Sequence, residues 1–179
     1  MISGSVSRRY ARALLSIGRD QGKDDLLATE LERLANAYEK STELQQVLSN
    51  PVFTPSQRIA VLTELLKRLA LSQTLQHFAR LILSRGRMEA VPAIARTLRA
   101  MVDENAGRVR AKVTSAKPLE PVMEGRIRQA IGAATGKMVV LEKREDPSLL
   151  AGIVTQVGDV VYDGSLAAKL AELKQRFAN

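Results

Sequence analysis

Asn105-Ala106-Gly107-Arg108-Val109-Arg110-Ala111-Lys112-Val113-Thr114-Ser115 is the stretch across which the periodicity of this sequence changes. Before it, apolar residues recur every three or four positions, which is the spacing of amphipathic helices. Within it, apolar or small residues alternate with polar ones from Val109 to Ser115, which is the spacing of a strand. The sequence therefore predicts a mostly α protein, with an N-terminal six-helix bundle over residues 1–105 and a small α+β domain over residues 106–179.

Upstream of that stretch, local signals set the ends of the helices. The strongest is Thr54-Pro55-Ser56-Gln57, in which Thr54 caps a helix, proline takes the first helical position, and Gln57 closes a capping box. Gly22 and Gly86 end two other helical runs. We predict six helices, which begin near residues 5, 24, 43, 55, 73 and 91, and short loops between them favour a bundle.

Downstream, four short β-rich runs flank one helix. We predict strands near residues 109–115, 137–143, 152–157 and 160–162, and a helix near 122–134. Gly158-Asp159 separates the last two runs by two residues, which is typical of a hairpin turn. Ser165 is predicted to cap a final helix. Basic residues mark one face of the strand from Val109, a pattern that is normal for an outer strand.

The composition argues against catalysis. Cysteine is absent, and His77 is the one histidine, so the usual zinc sites and cysteine nucleophiles are excluded. Acidic pairs such as Asp24-Asp25 lie at element boundaries, where they favour the positive end of a helix dipole. We predict no catalytic, cofactor-binding or metal-binding residues. The N-terminus does not resemble a signal peptide, and no stretch approaches the roughly 18 apolar residues of a membrane span.

The charge leaves one alternative function open. The net charge is +8 and the sequence pI is about 10.1, which is compatible with a basic, nucleic-acid-associated adaptor. However, the charge is spread along the chain, and the six aromatic residues are scattered singly rather than interleaved with basic ones. A solvated surface of mixed charge is the simpler interpretation.

Two helices carry more apolar surface than a bundle helix needs. On the first helix and on the fifth, the apolar arc spans roughly 200°, whereas about 100° is enough to seal a core. Either both helices lie centrally in the bundle, or part of each arc forms a groove for a helix of another protein. The sequence alone does not separate these interpretations.

Three blocks of sequence resemble a known family over essentially the whole length. The first is Ser7-Arg8-Arg9-Tyr10-Ala11-Arg12-Ala13-Leu14, and the second is Leu83-Ser84-Arg85-Gly86-Arg87-Met88 with Val91-Pro92. The third comprises Asp146-Pro147-Ser148-Leu149-Leu150-Ala151-Gly152, Val157-Gly158-Asp159 and Asp163-Gly164-Ser165-Leu166. Together they resemble the δ subunits of bacterial F-type ATP synthases, which are equivalent to the mitochondrial oligomycin-sensitivity-conferring protein.

The resemblance implies a non-catalytic stator subunit that links the catalytic head to the peripheral stalk and resists torque. It implies that the N-terminal domain binds the N-terminal helix of an α subunit and that the C-terminal domain joins the b subunits, with the β subunit as a further candidate partner. It places the protein at the bacterial inner membrane, on the cytoplasmic side, through its partners alone. The expected groove residues are Val6, Tyr10, Ala13, Ile17, Phe78, Leu81 and Ile82. The expected structural residues of the C-terminal domain are Asp146, Gly152, Gly158, Asp159, Asp163, Gly164 and Ser165.

Overall fold

Six helices in succession build the first part of the chain in the computed structural model, which describes residues 4–149, 152–158 and 160–163. The chain divides into two compact units, Met1–Val102 and Asp103–Asn179. The helices are α1 Gly4–Asp20, α2 Asp24–Lys40, α3 Thr42–Ser49, α4 Pro55–Arg68, α5 Gln73–Ser84 and α6 Val91–Asn105. The predicted fold class, a helical bundle followed by a small α+β domain, is confirmed.

The helix ends lie where the local signals predicted them. At the start of α4, the Thr54 hydroxyl accepts from the backbone N–H of Gln57 at 3.3 Å, and the Gln57 side chain accepts from the Thr54 N–H at 2.9 Å. This reciprocal pair is the predicted capping box. Gly86 follows α5 with φ of +62°, a left-handed conformation that glycine adopts without strain.

Aliphatic side chains fill the core of the bundle, as the shortage of aromatic residues requires. Every helix of the bundle contributes to it, and its largest fully buried members come mainly from α2, α4, α5 and α6. They include Leu27, Leu31, Leu34, Leu62, Leu66, Leu75, Ile82, Ile94 and Leu98. Because leucine loses little rotamer freedom in a helix, this composition serves both the helices and their packing.

A buried carboxylate on α2 fixes the start of α5. Glu30 is only 6% exposed, and its two oxygens accept from the backbone N–H and the hydroxyl of Ser72, at 3.0 and 2.6 Å. Ser72 is itself the N-cap of α5 and accepts from the N–H of Leu75. The carboxylate therefore lies at the positive end of the α5 dipole, where a negative charge is favoured.

A second polar tie joins α2 to α6. The guanidinium of Arg99, whose side chain is 9% exposed, donates to both carboxylate oxygens of Glu32 at 2.7 Å and to Asp25 at 3.1 Å. The parallel donation from Arg99 to Glu32 is bidentate, which is the stronger geometry for such pairs.

In its described residues, the second unit consists of a four-stranded mixed sheet and one α-helix. Its elements are β1 Arg108–Ser115, α7 Pro121–Thr135, β2 Met138–Glu145, β3 Ile153–Val157 and β4 Val160–Asp163. The strand order is β2-β1-β3-β4, in which β1 and β2 are parallel and are connected through α7, while β3 pairs antiparallel with β1 and β4. The predicted hairpin at Gly158 joins β3 to β4. The final helix predicted from Ser165 lies outside the described residues.

β1 is an interior strand that pairs on both sides, so its charged face is not that of an outer strand. Its basic residues are held by carboxylates of the same unit: Arg110 bonds Asp103 and, at 2.8 Å, Glu142, while Arg108 approaches Asp103 at 3.3 Å. Burial alone would lower the pKa of Arg110, but the bonds to the two carboxylates outweigh it and raise that pKa. These arginines therefore tie the second unit together internally.

Candidate partner-binding surface

The wide apolar arc of α1 is half buried and half exposed. One side packs into the bundle through Ala11, Leu14 and Leu15, which are at most 8% exposed. The other side bears the four predicted groove residues of this helix. Of these, Val6 and Tyr10 are half-buried, Ala13 is exposed and Ile17 is 41% exposed. Burial therefore accounts for one side of the arc and leaves the other side facing solvent.

The arc of α5 differs, because most of it is inside the bundle. Leu81 is 45% exposed, whereas Phe78 is 8% exposed and Ile82 is fully buried. Phe78 and Ile82 both belong to the hydrophobic core of the bundle, so their assignment to the groove is corrected to the core. The sequence missed this because an apolar arc alone does not show which part of it the neighbouring helices cover.

Tyr10 connects the exposed side of α1 to α5. Its ring meets the ring of Phe78 edge-to-face, with 6.2 Å between the centroids and an interplanar angle of 80°. The guanidinium of Arg87, which follows α5, lies 5.7 Å from the Tyr10 centroid, and its Nη1 donates to the Tyr10 hydroxyl at 3.1 Å. Such contacts orient the Tyr10 ring, which remains half-buried. The sequence analysis did not identify Arg87 as part of this surface.

We give the name apolar strip to the exposed and half-buried members of the predicted groove: Val6, Tyr10, Ala13 and Ile17 of α1, with Leu81 of α5. The two helices meet at the ring contact between Tyr10 and Phe78. The strip offers aliphatic groups, a methyl and one aromatic ring. Such a surface can bind the apolar face of an amphipathic helix, whose residues recur at the same spacing.

The other chemistry-bearing residues are dispersed. His77 is exposed on α5. Among residues 4–149, 152–158 and 160–163, no group of histidine and acidic side chains could hold a metal ion. No helix in the same ranges has the length and apolar character to cross a bilayer.

The predicted structural residues of the second unit lie around its turns. The Asp146 carboxylate accepts from the backbone N–H of Ser148 at 3.0 Å, and bonds from the Ser148 side chain and backbone lower the pKa of Asp146. Gly152 and Gly158 have φ of +96° and +59°, which L side chains rarely adopt. Asp163 ends β4, opposite Val154. The remaining three residues, Asp159, Gly164 and Ser165, lie outside the described part of the chain.

A helical bundle that carries an exposed apolar strip has the architecture of a helical adaptor, the class of protein whose members can bind amphipathic helices of other chains. The family model for the ATP synthase delta (OSCP) subunit matches residues 6–177. The chain is 42% identical to the ATP synthase subunit delta of Anaeromyxobacter dehalogenans, over 98% of both chains. It is 40% identical to that of Myxococcus xanthus, over 98% of this chain and 97% of the relative.

The chain thus belongs to the ATP synthase delta (OSCP) subunit family. It is a non-catalytic stator component of the F-type ATP synthase, and the matches give no support to the nucleic-acid-associated alternative. The fold is also that of a chain in the Toxoplasma gondii mitochondrial ATP synthase hexamer, with a TM-score of 0.65 and 20% identity over 97% of both chains.

Proposed function

We propose that this stator component holds the catalytic head by binding the N-terminal helix of an α subunit on the apolar strip. The observation that carries the proposal is the exposure of Ala13, Ile17 and Leu81 on two helices whose other apolar residues are largely buried. An amphipathic helix bound along the strip would cover these side chains and the exposed part of Tyr10. Burial of apolar surface then provides the main favourable free energy.

The mechanical role sets the strength that the joint needs. Rotation inside the head exerts torque on the head itself, so a stator that dissociates readily would let the head turn. A Kd near 1 nM corresponds to about 12 kcal/mol. An interface of standard size, about 800 Å² on each partner, can supply this if its apolar anchors fit well.

The second unit is proposed to join the peripheral stalk through the ends of the b subunits, with the β subunit as a further partner of the head-binding unit. While one unit stays bound to its partner, it keeps the other unit at a high effective concentration near the second partner. A contact that dissociates therefore rebinds before the whole complex separates. Attachment through these partners would place the chain on the cytoplasmic side of the bacterial inner membrane.

Ala13→Asp tests the strip directly. We expect the substitution to reduce binding of a peptide with the sequence of the cognate α N-terminus at least a hundredfold, because it buries a carboxylate against apolar side chains. Ala13 is exposed, so the unbound protein should keep its helical circular dichroism. Isothermal titration calorimetry on the full chain measures the affinity.

Ala100→Asp is the matched control, because Ala100 is an exposed alanine on α6 outside the strip. Both substitutions carry a similar cost in helix propensity. Ala100→Asp should bind the peptide as the unchanged protein does. If Ala13→Asp binds normally, or if both variants lose affinity equally, the strip is not the docking surface.

A further inference from the structure

A second surface of the bundle has a chemistry that the apolar strip lacks. A cleft of about 780 Å³ lies between the first turn of α4 and the last turns of α5. We name it the arginine cleft, because Arg58, Arg80 and Arg85 line it while none of its described lining residues is acidic. Leu81 lines it too, so the cleft and the apolar strip share a residue.

The three arginines of the cleft are not neutralised within the described part of the bundle. Some other arginines of this unit are paired with carboxylates, as Arg99 is with Glu32 and Arg96 is with Glu39. Arg58, Arg80 and Arg85 form no ion pair with any residue in the described ranges. The cleft is therefore a local excess of positive charge beside exposed apolar side chains.

Arg58 lies where the helix dipole disfavours a cation. Cations are favoured at the C-terminal end of a helix, which accounts for Arg85 at the C-cap of α5. Arg58 instead lies in the first turn of α4, at the positive end of that helix, where a cation is disfavoured. Its Nε is also shielded from water and meets no acceptor in the described residues. A donor that is buried and unpaired carries a desolvation cost, which a bound acceptor would remove.

The apolar side chains that line the cleft indicate which kind of molecule would provide that acceptor. Ile59 and Leu81 are 50% and 45% exposed, and both face the cleft with the arginines. A small inorganic anion would leave these side chains uncovered, whereas a peptide segment with acidic and aliphatic residues would cover them and pair with the guanidinium groups.

We propose that the arginine cleft binds carboxylate side chains of the same amphipathic partner helix that lies on the apolar strip. This inference rests on the proposed function, since Leu81 belongs to both surfaces. The strip provides affinity through burial of apolar surface. The cleft fixes the position of the partner helix along the bundle, because the acidic residues of that helix pair with Arg58, Arg80 and Arg85. The partner helix is thereby specified as acidic on the side that faces α4.

The test compares Arg58→Gln with Arg68→Gln in the full chain. Both arginines are on α4, but Arg68 is exposed and pairs with Glu64 outside the cleft. The cognate α N-terminal peptide is titrated by calorimetry at about 50 and about 500 mM NaCl. We expect Arg58→Gln to weaken binding about tenfold at low salt and to reduce its salt dependence, while Arg68→Gln changes neither.

Each other outcome has a definite meaning. If the peptide binds without salt dependence and Arg58→Gln has no effect, the cleft proposal is overturned and the strip proposal stands. If the unchanged protein does not bind the peptide, both proposals fall. If millimolar inorganic phosphate binds the protein and Arg58→Gln abolishes that binding while peptide affinity is unchanged, the cleft is a small-anion site and the proposed occupant is wrong.

Discussion

Leu81→Ala gives a quantitative test of the apolar strip. The Leu81 side chain is 45% exposed in the free protein, and a docked helix would cover that remainder. Complete burial of a leucine side chain contributes about 1.5–3 kcal/mol. Burial of the exposed part of Leu81 against a partner would therefore contribute about 1 kcal/mol to binding. The substitution should therefore weaken peptide binding about fivefold.

The same substitution also removes the part of Leu81 that is already buried, and that loss needs its own control. Leu26 on α2 is 47% exposed and lies outside the strip, so Leu26→Ala removes nearly the same apolar surface. Both variants should lower the free energy of unfolding by about 1 kcal/mol, because each loses a comparable buried fraction. Only Leu81→Ala should lose affinity.

Two measurements separate these effects. Urea denaturation followed by circular dichroism gives the free energy of unfolding, and calorimetric titration with the α N-terminal peptide gives the Kd. Equal losses of affinity in both variants would show that the peptide responds to general destabilisation. Full affinity in Leu81→Ala would exclude Leu81 from the interface and refute the packing argument.

Two further predictions concern the folded units themselves. Glu30→Ala should lower the free energy of unfolding by about 2–4 kcal/mol in urea denaturation, because it removes both charge-assisted bonds to Ser72 at the start of α5. As a control, Glu64→Ala breaks an exposed ion pair and should lower the free energy of unfolding by less than about 1 kcal/mol. Gly152→Leu should unfold the second unit, because a φ of +96° strains any side chain, and the loss would be seen as reduced β-sheet signal in circular dichroism. A folded Gly152→Leu protein that failed to bind the b subunits would instead indicate direct stalk contact at this glycine.

Local signals in the sequence predicted the elements well because the physics that ends a helix is local. The capping box at Thr54 and Gln57 involves residues three positions apart, and the proline between them fixes the first helical turn. The alternation from Val109 onward likewise marks β1, whose Ala111 and Val113 are fully buried. In each case the signal lies within a few neighbouring residues of the sequence.

Packing between residues far apart in the chain could not be predicted from the sequence. The arcs of α1 and α5 look alike on a helical wheel, yet Ile82 is buried and Ile17 is exposed, since the difference depends on which helices lie alongside. Arg87 reaches Tyr10 across 77 residues of sequence, and no spacing pattern indicates that contact. The interior position of β1 depends on the later strand β3, so its charged face could not be assigned from β1 alone.

The apolar strip joins Tyr10, Ala13 and Ile17 near the beginning of the chain to Leu81, and this has a consequence for biogenesis. A ribosome adds roughly 5–20 residues per second, so several seconds separate the synthesis of the two halves of the strip. If the strip binds the α subunit as proposed, the nascent chain would lack a complete binding surface during that interval. Assembly through the strip would then begin only after translation has passed α5.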